Sequence, residues 1–69
     1  MVEVFKTNVE RRELAEQLVS SLRTRFPLSK INFDLEDCDK ILRIEANEIC
    51  NERIIELMKV KGFECEVLD

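Results

Sequence analysis

The chain has 69 residues, 45% hydrophobic and 38% charged, with one Gly and one Pro. That is room for one domain, expected over residues 1–69, and too much apolar content for a disordered chain. The net charge of −4 and the lack of His argue against nonspecific binding to phosphate backbones or anionic lipid and against imidazole-based catalysis.

Met1 is followed at once by a mixed charged and apolar run, so no secretory leader is expected, and no stretch is long enough to span a bilayer. Cys38, Cys50 and Cys65 form an odd set, unlike the even framework of a small secreted domain. The expectation is a cytoplasmic chain with free thiols, and with neither nucleic acid nor membrane as partner.

Val2 to Lys6 is rich in β-formers and reads as a first strand. Thr7 followed by Glu10 has the spacing of a capping box, which predicts a helix start there. Leu14, Leu18, Leu22 and Phe26 recur every fourth residue, with Ala15 and Val19 widening the stripe. This predicts an amphipathic helix of about four turns, ended by Pro27. In residues 30–36, Ile31, Phe33 and Leu35 alternate with Asn32, Asp34 and Glu36, predicting a half-buried strand. Asp37-Cys38-Asp39 reads as a turn into a return strand over 41–46, with Leu42, Ile44 and Ala46 on one face. Asn51 is placed to cap a second helix whose apolar side is Ile54, Ile55, Leu57 and Met58. Lys59 and Lys61 sit in its last turn, and Gly62 ends it. Phe63, Cys65 and Val67 alternate with Glu64 and Glu66 in a last strand.

The order β-α-β-β-α-β, with one apolar face per element, predicts an α+β ferredoxin-like sandwich. Two helices cover one face of an antiparallel four-stranded sheet of order 4-1-3-2. The opposite face is then expected to carry Glu3, Phe5, Asn32, Asp34, Glu36, Ile41, Arg43, Glu45, Glu64 and Glu66, and so to be acidic. The turn after the first strand, the hairpin at Cys38 and the link at Gly62 should gather at one end. Arg11, Arg12, Lys59 and Lys61 fall near that end, and with Cys38 they are the candidate interaction surface. Arg11 and Arg12 stand where a helix dipole disfavours cations, which hints at use. Cys65 is expected to face the core, Cys50 to lie at the opposite end, and the three thiols to be too far apart to share an ion or a disulfide.

The run Ile54-Ile55-x-x-Met58-x-x-x-Gly62-Phe63-x-x-x-Val67, following Cys50-Asn51, resembles the C-terminal half of heavy-metal-associated domains. That is the fold of copper chaperones and of the metal-binding modules of copper-transporting ATPases, and the likeness extends over nearly the whole chain. Members that carry copper or zinc have Met-x-Cys-x-x-Cys where the first strand meets the first helix. Here Val9 falls at the Met position, Arg11 at the first Cys and Leu14 at the second. The resemblance therefore implies the fold without its metal ligands, and no cofactor is expected.

Nothing in the sequence supplies a catalytic set or a Gly-rich phosphate loop, and no enzyme activity is expected. The expected role is a small non-catalytic binding or protein-interaction module, its partner another protein or a second copy. The alternative is a metal-handling protein with a relocated or intersubunit site at Cys38, beside Asp37 and Asp39.

Overall fold

The computed structural model describes residues 1–68. In chain order they form β1 (Val2–Thr7), α1 (Arg12–Arg25), β2 (Lys30–Asp34), β3 (Ile41–Glu45), α2 (Asn51–Val60) and β4 (Cys65–Val67). The four strands make one sheet in the order β2-β3-β1-β4 with every pairing antiparallel. Read from the other edge, this is the expected 4-1-3-2. The topology is ferredoxin-like.

α1 forms where its apolar stripe predicts, and buries Ala15, Leu18 and Leu22. It stops at Arg25, because Phe26 precedes Pro27 and takes a non-helical φ of −129°. α2 buries Ile54 and Met58. It closes in a Schellman motif: the Gly62 N–H donates to the Lys59 carbonyl (2.9 Å) and the Phe63 N–H to the Met58 carbonyl (2.9 Å). The motif needs a left-handed residue, and Gly62 supplies φ +93°. These helices meet Phe5, Ile31, Phe33, Leu42 and Ile44 in one buried cluster.

Four expectations are corrected. Phe5 is not on the open face; it is fully buried, opposite Leu42 on one side and Val67 on the other. Glu3 turns the same way as Phe5, opposite Ile44. The alternation in Val-Glu-Val-Phe-Lys permits either face. Burying a phenyl ring removes more apolar surface from water than burying a valine, so the odd-numbered residues go inward. The capping box does not form: Thr7 ends β1, α1 begins only at Arg12, and Arg11 stands at its N-cap without a side-chain cap. Asn51 is the first residue of α2 rather than its cap, which is Cys50, and its buried Oδ1 accepts no hydrogen bond.

Candidate functional site

The turn after β1, the β2–β3 hairpin and the α2–β4 link meet at one end of the sheet. The Thr7 N–H donates to the Asp39 carbonyl (3.1 Å). The Thr7 hydroxyl donates to the Lys40 carbonyl (2.6 Å) and accepts from the Val9 N–H (3.2 Å). The Asn8 side-chain oxygen accepts from the Glu64 N–H (2.9 Å), tying in the third connection. Val9 plugs the corner and is fully buried.

The hairpin is built by its own aspartates. The Asp39 N–H donates to Asp37 Oδ1 (2.8 Å) and the Lys40 N–H to the Asp37 carbonyl (3.0 Å). Lys40 takes a left-handed φ of +48°, strained for a residue with a side chain. Its ammonium donates to the Leu35 carbonyl (3.0 Å), its carbonyl accepts from Thr7, and both bonds hold it there.

The ligand atoms of Asp37, Cys38 and Asp39 lie within 4.8 Å of one another. Asp37 already accepts a backbone N–H, and Asp39 stands 3.9 Å from the Lys6 ammonium. The Asp37 carboxylate is therefore engaged in closing the hairpin, and that of Asp39 faces the Lys6 ammonium on β1. One exposed thiol with two hard oxygens is also a poor donor set for a soft ion.

The other candidate residues are spread over the surface. Arg11 is exposed and ion-paired with Glu13 two residues on. Arg12 borders a groove of about 200 Å³ between α1 and β2, beside Val19 and Phe33. Lys59 borders a larger groove of about 500 Å³ along β4, floored by Ile55 and Phe63 and also lined by Lys6 and Cys65. Lys61 faces α1, in a third groove with Leu14 and Gln17. Lys59 and Lys61 part because residues two apart on a helical turn do not share a face. Cys38 is exposed in the hairpin.

The outer face of the sheet differs from its expected character. β1 presents Val2, Val4 and Lys6 there instead of Glu3 and Phe5. Lys6, Lys30 and Arg43 now face the same side as Asp34, Glu45 and Glu66. The strands therefore offer balanced charge rather than an acidic field. Lys30 stands opposite Glu45 and Lys6 opposite Glu66 in register, an arrangement worth a few tenths of a kcal/mol per pair. Sequence reading missed this because it turned on which face β1 buries.

Cys65 lies on the inner face of β4, half-buried opposite Thr7. Burial, with the Glu66 charge adding to it, pushes its thiol up to about 12. Iodoacetamide at pH 8 should therefore label exposed Cys38 and Cys50 well before Cys65, as read by peptide mass mapping. Between pH 9 and 12 the unfolded state loses the thiol proton while the folded state keeps it. Cys65's contribution to stability is thus complete below about pH 9 and drains away as the pH climbs to 12. A Cys65→Ala chain should show a shallower loss in urea titrations over that range.

Comparison with known protein families, curated proteins and solved structures finds no match to the chain. Among the described residues, no helix is long and apolar enough to cross a membrane.

Proposed function

We propose that the chain is a small non-catalytic protein-interaction module, a heavy-metal-associated-like fold in which the usual metal corner has become structural. One observation carries the reading. Where β1 gives way to α1, Val9 is fully buried, Arg11 is ion-paired with Glu13, and Leu14 packs against the core. An aliphatic plug, a guanidinium and a leucine offer no electron-pair donor to a soft cation. They do not fit the metal that the fold family would hold there. The three free thiols suit a reducing compartment such as the cytoplasm.

The relocated metal site at Cys38 is the second reading, and the close set of Asp37, Cys38 and Asp39 is what favours it. The contacts those carboxylates already make, Asp37 with the Asp39 N–H and Asp39 with the Lys6 ammonium, weigh the other way.

Two measurements on the purified chain test the proposal. Copper(I) competition should find no binding tighter than micromolar; tighter binding that Cys38→Ser abolishes would establish the second reading. Affinity capture from the native host, with native mass spectrometry of the product, should find one stoichiometric partner or a second copy. A metal-free monomer that captures nothing would refute the module reading.

A further inference from the structure

We infer that β2 is a docking edge for a second copy of this chain, joined to its own counterpart as an antiparallel pair. The inference rests on the interaction role proposed above and names its partner and surface.

β2 is one outer strand of the sheet and, among the described residues, pairs only with β3, on its inner side. Its register with β3 runs unbroken from Lys30 to Asp34, with no bulge and no proline. Those are the devices by which many edge strands refuse new partners. The backbone groups on its outer side are therefore open to a further strand.

The sequence Lys-Ile-Asn-Phe-Asp complements itself under a twofold axis. Two such strands, antiparallel and centred on Asn32, place each Lys30 opposite the partner's Asp34. They place each Ile31 opposite the partner's Phe33, and the two Asn32 residues opposite each other. Lys30, Asn32 and Asp34 lie on the outer face and Ile31 and Phe33 on the core face, so every pair meets on its own side of the sheet. A symmetric contact requires that if one residue meets another, the reverse contact also forms, and this register meets that condition at all five positions. A shift of two residues removes both Lys–Asp pairs and leaves only three strand positions matched. A shift of one turns the apolar pair to opposite faces.

The groove beside β2 supports the same edge. Arg12, Glu16 and Val19 of α1 border it above Ile31 and Phe33, leaving about 200 Å³ that an added strand would cover. The other outer strand is a poor competitor. β4 has only three residues, and its twofold pairing would set Glu66 against its own copy, a like-charge contact that opposes association.

Charge exchange tests the pairing. Sedimentation equilibrium of the wild-type chain should show a monomer–dimer equilibrium. Lys30→Glu and Asp34→Lys should each weaken it at least about tenfold, since both symmetric contacts become like-charged. An equimolar mixture of the two variants should recover a one-to-one heterodimer, with circular dichroism confirming that each is folded. An independent variant is Asn32→Cys in a chain whose native cysteines are replaced by alanine. The two new thiols would face each other at the axis, so mild oxidation should convert it to a disulfide-linked dimer. A wild-type chain that stays monomeric at millimolar concentration, a dimer indifferent to both charge reversals, or an Asn32→Cys chain that does not cross-link would each overturn the inference. A monomer that still captures one stoichiometric protein partner would overturn self-docking alone and leave the interaction role standing.

Discussion

Phe5→Ala should destabilise the domain by about 3–5 kcal/mol, the range for removing a fully buried phenyl ring. Phe5 has no exposed surface and lies between Leu42 and Val67 on the two neighbouring strands. Its loss would open a cavity at the middle of the sheet, beneath the helices. Chains of this size are typically stable by little more than that amount, so the variant should be largely unfolded at ambient temperature. Urea denaturation followed by circular dichroism measures the change. Val4→Ala, one residue away on the outer face, should change stability by well under half as much, because Val4 is only partly buried. A larger effect at Val4 than at Phe5 would mean that β1 buries its even-numbered residues, and the description of both sheet faces would fall with it.

Thr7→Val should cost about 2–4 kcal/mol although it preserves shape. The hydroxyl satisfies two backbone groups, the Lys40 carbonyl and the Val9 N–H. Each would be left without its partner at a cost of about 1–3 kcal/mol. The loss should also be visible locally. The Val9 amide should exchange with solvent much faster in the variant, while amides in the middle of α1 follow global unfolding. A change below about 0.5 kcal/mol would show that the hydroxyl does not bind the strand end to the hairpin. Thr7→Ser keeps both bonds and should retain most of the stability.

The fold was legible in the sequence wherever a period was unambiguous. Leu14, Leu18 and Leu22 allow only a helix, and Ile31 and Phe33 between polar neighbours allow only one strand phase. Gly62 after Lys61 marked a helix end, and the structure supplies the reason in its positive φ. β1 was not legible to the same degree. Either phase of Val-Glu-Val-Phe-Lys buries something apolar, and the choice is made by strands distant in sequence. Thr7 misled for a similar reason: its spacing to Glu10 fits a helix cap, yet the hydroxyl found the Lys40 carbonyl, thirty-three residues away.

The groove that each candidate residue borders was not legible in the sequence. Arg11, Arg12, Lys59 and Lys61 stand near one end in sequence terms, but local helical phase sends Arg12 toward β2, Lys59 toward β4 and Lys61 toward α1. The self-matching pattern of Lys30–Asp34 was present in the sequence throughout. It gained meaning only when the sheet order placed that strand on the outside.

β1 occupies an interior place in the sheet, and one of its two neighbours, β4, is the strand farthest from it in sequence. Phe5 waits for Val67 and Thr7 for Cys65. A ribosome making this protein therefore releases β1 long before its second neighbour exists. Until then Phe5 lacks its neighbour on one side and one edge of β1 keeps open backbone groups, a state vulnerable to aggregation and suited to chaperone capture. The sheet thus closes only when its three-residue outer strand β4 arrives, after everything between it and β1 has been made.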